Sequence, residues 1–128
     1  MTDFIDLVYY LVVSLLLTHE LDAVHKHEWR LLFYLRNLEE SAARQAFILL
    51  HIPLLVLLLW LSTHSQETVR FATVVGIDVF AIIHAGLHAR LSGHPAYAFH
   101  PTYSKLLIYG AAVFSAIHMA LLTFTLYS

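Results

Sequence analysis

The sequence predicts an all-α integral membrane protein: a four-helix bundle with an amphipathic helix at the membrane interface between helices one and two. Three observations carry that prediction. The chain of 128 residues is 59% hydrophobic and only 12% charged, with a mean hydropathy of +0.71, whereas a soluble domain is roughly half apolar and about a quarter charged. Its apolar residues gather in four long runs, and a helical span needs about 20 mostly apolar residues. The polar residues fall between these runs, except for a few histidines and carboxylates that stand inside them.

Taken in order, the first run covers residues 4–21. The preceding Met-Thr-Asp-Phe-Ile-Asp is acidic and no small-residue cleavage site follows, so the run reads as a retained span and not a signal peptide. In residues 25–42, Trp29, Leu32, Phe33 and Arg36 fall near one stripe, with Arg30, Asn37, Glu40 and Arg44 elsewhere. That pattern predicts a helix lying in the interface over residues 29–39. The second span is residues 43–61; Pro53, two residues after His51, removes a backbone bond to Leu49 and permits a kink that opens space beside His51. Residues 62–68 form a short polar turn before the third span, 69–91. In "SGHPAYAFHPT", residues 92–102, Gly93 ends a helix and Pro95 and Pro101 prevent its continuation. The fourth span is residues 103–127, which makes residues 1–128 a single transmembrane domain. Trp29, Trp60, Tyr97, Tyr103 and Tyr127 are expected as interface anchors.

Charge and composition remove several function classes. The formal net charge is −2 and no basic tract exists to neutralise a phosphate backbone, which excludes nucleic acid as a partner. The absence of cysteine removes disulfides, thiolate zinc sites, iron–sulfur clusters and cysteine nucleophiles together. The residue in excess is histidine, with 10 copies. Lys26, Arg30, Arg36, Arg44, Arg90 and Lys105 lie on the side reached at the end of helix one, and only Arg70 on the other. By the positive-inside rule the former side is cytoplasmic, and both termini of a multi-pass inner-membrane protein lie outside.

At about 1.5 Å per helical residue, His19 and Asp22 reach the cytoplasmic boundary, His51 lies about 12 Å in, His84 about 10 Å and His88 about 4–5 Å. His19 and Asp22 share a face at i,i+3, and His84 and His88 at i,i+4. The depths therefore predict one polar cavity lined by His19, Asp22, His51, His84 and His88. Imidazoles plus carboxylate without thiolate suit zinc or non-haem iron, and an i,i+4 histidine pair can chelate one ion from a single helix face. Glu20, about 100° round the helix from His19, is the candidate catalytic base. Glu20 and Glu28 also admit a plainer reading, facing headgroups or pairing with Lys26 or Arg30. His25, His27, His64, His94 and His100 stand in connections and are expected to be solvated. Asp78 and His118 match each other in depth, about 20 and 22 Å from the cytoplasmic face, and are candidates for an outer carboxylate–imidazole pair or a proton step.

The stretch from Thr18 to Arg30, "THELDAVHKHEWR", resembles a motif of short bacterial membrane proteins with four predicted helices and no assigned activity, through His19, Glu20, Asp22, His27, Glu28, Trp29 and Arg30. That resemblance implies the architecture alone. A looser likeness is to membrane hydrolases of the alkaline ceramidase type, which implies a zinc site near the cytoplasmic side; His84, His88, His51 and Ser14 are the residues here that match it.

Three functions follow as expectations. The first is a metal-dependent membrane hydrolase or oxidoreductase using zinc or iron on a lipid-like, apolar small molecule that enters from the bilayer. The second is a haem electron carrier with His51 and His84 as axial ligands. The third is a small transporter or proton channel, using Asp78, His118 and His51 as steps and assembling as a homo-oligomer.

Overall fold

In a computed structural model that describes residues 2–126, four long helices follow one another: α1 Thr2–His25, α2 Glu40–Ser62, α3 Glu67–Leu91 and α4 Thr102–Leu126. The expected end of the last span at Tyr127 lies outside the described residues. All four are long and apolar enough to cross a membrane, which makes this a multi-pass membrane protein. Helix is the form such runs must take, because lipid offers no partner to backbone N–H and C=O groups and a helix satisfies them internally.

The bundle is uneven. α4 packs along both α1 and α3, while α2 leans against the others with few contacts. Small residues permit the close approach: Ala81 and Ala111 are fully buried beside Val12 where the three inner helices meet, as expected where backbones pack without a hydrophobic driving force. Near the other end Ala23, Trp29, Ala43, Phe47, Phe99 and Ile108 form a second core. Outward lie Leu50, Leu57, Leu59, Ile83 and Leu106, each about half exposed or more, the apolar coat that a bilayer covers.

The interfacial helix expected over residues 29–39 does not form. Two short 3-10 turns, Glu28–Arg30 and Leu35–Asn37, replace it. His27 stands at φ 57°, in the left-handed region, and turns the chain sharply after α1. Arg30 then staples the connection, donating to the carbonyls of Arg36 (3.0 Å) and Leu38 (3.1 Å) and to the carboxylate of Glu40. Trp29, expected as an interface anchor, is fully buried, with its ring 5.7 Å from that of Phe47. Glu39 caps α2 by accepting from the N–H groups of Ser41 (3.0 Å) and Ala42 (3.2 Å).

The connection after α3 also folds inward. Tyr97, likewise expected as an anchor, is buried, and Phe99 is fully buried; Pro101 then precedes the first turn of α4. Trp60 and Tyr103 do face outward, at 60% and 52% exposure.

Candidate metal centre

The two connections that fold inward close over the end of the inner helices, and there four side chains converge. His19 comes from α1, Glu28 from the first 3-10 turn, and His84 and His88 from successive turns of α3. One ligand atom from each lies within 4.8 Å of all the others. His19 Nε2 is 3.3 Å from Glu28 Oε2, and His88 Nε2 is 3.4 Å from Glu28 Oε1. A tetrahedral ion with ligands at about 2.0–2.1 Å has ligand-to-ligand edges of about 3.3–3.4 Å. Each oxygen of Glu28 thus stands at that edge from one histidine, and the wider separations, up to 4.8 Å, require a contraction of up to about 1.4 Å.

The site is dry and under-satisfied. His19 is fully buried, His88 is 3% exposed and Glu28 9%. Among the described residues, both ring nitrogens of His19, Oε2 of Glu28 and Nε2 of His84 are buried without a hydrogen-bond partner. The 3.3 Å approach of His19 to Glu28 is thus a close contact without hydrogen-bond geometry. Each such group costs about 1–3 kcal/mol when left unpaired, and an ion at their centre would satisfy one nitrogen each of His19 and His84 together with the Glu28 oxygen, leaving the other His19 nitrogen unpaired. Burial alone raises the Glu28 carboxyl, yet the imidazoles of His19 and His88 outweigh it and hold that carboxyl at about 2. Glu28 is therefore the carboxylate, the ligating form, at neutral pH.

Aromatic rings wall the cluster. His19 meets His84, His88 and Phe99 at 4.9, 5.0 and 5.4 Å between centroids. Behind His88, Nδ1 lies 3.4 Å from the hydroxyl of Tyr97. Burial, with Tyr109 and Glu28 adding, pushes that phenol up to about 12, so it remains a hydroxyl that can accept from Nδ1–H while Nε2 faces the site.

Of the five ligands expected from depth, the structure brings His19, His84 and His88 together and leaves Asp22 and His51 apart. Asp22 is turned to α4, where the Tyr103 hydroxyl donates to it at 3.2 Å. His51 is on α2, and its Nε2 meets Glu20 Oε2 at 2.8 Å. Glu20, the candidate base, is thereby placed beside His51 and outside the four-ligand cluster. Glu28, for which the sequence also admitted a headgroup or ion-pair role, is the member of the cluster that sequence reasoning did not place there. Had α1 continued, nine residues at 3.6 per turn would set Glu28 about 180° from His19; the left-handed turn at His27 brings it back. Asp78 and His118 do pair, at 2.6 Å and both buried, but six residues of α3, about 9 Å, separate Asp78 from His84.

Beside the cluster, between α1, α2 and α3, lies a cleft of about 610 Å³ lined by Val13, Leu54, Leu58, Ile77 and Phe80, with Glu20 and His51 among them. Phe80 belongs to both places, since its ring lies tilted against that of His84 with 5.4 Å between centroids.

A family model described as a family of unknown function (DUF6713) matches residues 5–125. The chain belongs to this family. DUF6713 membership agrees with the resemblance carried by the Thr18–Arg30 motif and brings no activity with it. No curated protein and no solved structure matches the chain, so the likeness to alkaline ceramidases finds no support. Ser14, which that likeness would place in the site, donates instead to the Tyr10 carbonyl at 2.7 Å on an exposed face.

Proposed function

We propose that this protein is a membrane metalloenzyme that holds one divalent transition metal, zinc or iron, through His19, Glu28, His84 and His88 and acts on a lipid-like, apolar substrate. The observation that carries the reading is the convergence of four donors within 4.8 Å, from residues that are buried or partly buried, most of them lacking any other partner. Three neutral imidazoles and a carboxylate are a borderline set that suits zinc or iron(II). When bound, the ion supplies a Lewis acid able to polarise a carbonyl or lower the pKa of a coordinated water. Iron(II), which accepts more than four ligands, would leave a position for water or substrate beside these four residues, whereas zinc would do so only if one of the four did not ligate.

This chain's own residues would do the rest. Phe99 and Tyr97 exclude bulk water from the connection side, and Phe80 separates the ligands from the cleft through which an apolar substrate would arrive. Haem is the less fitting cofactor. The axial pair it requires, His51 with His84, is not the pair brought together, because His51 is engaged by Glu20 and the Phe47 carbonyl.

The basic bias supports an orientation with the metal centre near the cytoplasmic face of the membrane and both termini outside. The chain lacks cysteine, so single cysteines introduced at Ser65 and Ser92 should label from the outside and the cytoplasm respectively; the reverse pattern would overturn it. For the metal reading, cobalt(II) added to the purified apoprotein should give visible absorption that His19→Ala and His88→Ala abolish. Identical spectra in wild type and both variants would overturn it.

A further inference from the structure

The pair Glu20–His51 lies outside the metal cluster and faces the cleft. His51 Nδ1 is 2.7 Å from the Phe47 carbonyl oxygen, which accepts from it, and Nε2 is 2.8 Å from Glu20 Oε2, so both ring nitrogens and that carboxylate oxygen are already engaged.

The rest of the lining is apolar, and the one other polar side chain there, Thr18, turns its hydroxyl to the Ser14 carbonyl at 2.7 Å. From Val13 to Val24 the cleft follows α1 for about 16 Å, with the Glu20–His51 pair toward the end nearer the metal cluster. Its volume, about 610 Å³, falls within the roughly 300–1,000 Å³ of small-molecule sites.

We propose that this cleft binds a single-chain amphiphile, chain along α1 and α2, whose head donates a hydrogen bond to Glu20: a long-chain alcohol or amide. Glu20 Oε2 is taken by His51 Nε2 at 2.8 Å, while Oε1 has no hydrogen-bond partner among the described residues. A hydroxyl or amide N–H can donate to Oε1 and leave the Glu20–His51 contact intact, whereas an acceptor-only head such as a carboxylate would set oxygen against oxygen with no hydrogen between them. The inference deepens the metalloenzyme reading by naming its substrate class, while its test reads binding and not metal, so the two fail separately.

The full chain in lipid nanodiscs is photolabelled with a long-chain alcohol carrying a diazirine in its chain, and the modified residues are mapped by mass spectrometry. Label should fall on cleft residues such as Leu54, Leu58 and Ile77. Unlabelled alcohol of the same length should compete at least tenfold better than the matching carboxylate. Leu58→Trp, which fills the cleft, should remove the label, and Val56→Trp, on the outer face at 62% exposure for Val56, should not. Glu20→Leu should keep the label and lose the preference for alcohol. Label spread evenly over the outer face of α2, or equal competition by alcohol and carboxylate, would overturn the proposal and show ordinary contact with bilayer lipid. Metal content measured on the same samples reports on the metalloenzyme reading independently.

Discussion

Replacing His84 by leucine should stabilise the metal-free protein and abolish the stabilisation by metal, and the two halves of that expectation test one geometry. Nε2 of His84 is buried with no hydrogen-bond partner among the described residues, while the ring packs against His19, His88 and Phe80. Leucine, of similar volume, removes the orphaned nitrogen and keeps most of the packing. The gain from losing an unpaired buried polar atom is about 1–3 kcal/mol, less a repacking cost below about 1.5 kcal/mol for a near-isosteric change. In chelator the variant should therefore melt with or above the wild type. Metal reverses the order: an ion present at 100 times its Kd stabilises the protein that binds it by about 2.7 kcal/mol, and only the wild type retains the full site. Thermal unfolding in detergent, followed by the emission of the fully buried Trp29, with chelator and then with excess zinc or iron(II), reads both terms. The reasoning is refuted if His84→Leu melts well below the wild type in chelator and gains as much from metal.

Glu28→Gln should weaken metal affinity by at least about tenfold, since even outer contacts to metal ligands are worth about 10–100-fold; competitive titration against a chromophoric chelator measures it, and unchanged affinity would remove Glu28 from the site. Tyr97→Phe deletes the hydroxyl 3.4 Å from His88 Nδ1 and should lower affinity by up to about 100-fold while leaving the helical circular dichroism unchanged; loss of helicity would mark Tyr97 as a packing residue only. Metal binding should weaken on acidification, because an imidazole must be free of its second proton to ligate. Glu28, held at about 2, stays ionised well into acid and contributes nothing to that loss; a flat profile would contradict imidazole ligation.

The spans were legible because lipid imposes them: an uninterrupted apolar run of about 20 residues has one structural outcome, and the expected 43–61 and 69–91 lie within α2 Glu40–Ser62 and α3 Glu67–Leu91. Depth was legible for the same reason, being a count along a helix, and it grouped His19, His84 and His88. Azimuth was not. His51 agrees with them in depth but stands on α2, which leans on the others from the side and aims it at Glu20. Asp22 shares a face with His19, yet Tyr103 of α4 takes it up. The connection was hardest to read. Its path depends on one left-handed residue, His27, and on Arg30 reaching carbonyls six and eight residues ahead. Those interactions leave no periodic trace, and they are what turns Glu28 and Trp29 inward.

Whether four side chains from three segments hold one ion is read by X-ray absorption spectroscopy at the metal edge, joined to elemental analysis of protein purified from metal-replete cells. The expected result is about one zinc or iron per chain, a first shell of nitrogen and oxygen only at about 2.0–2.2 Å, and imidazole scattering that diminishes in His19→Ala. A protein without stoichiometric metal, or a first shell unchanged in His19→Ala, would contradict it.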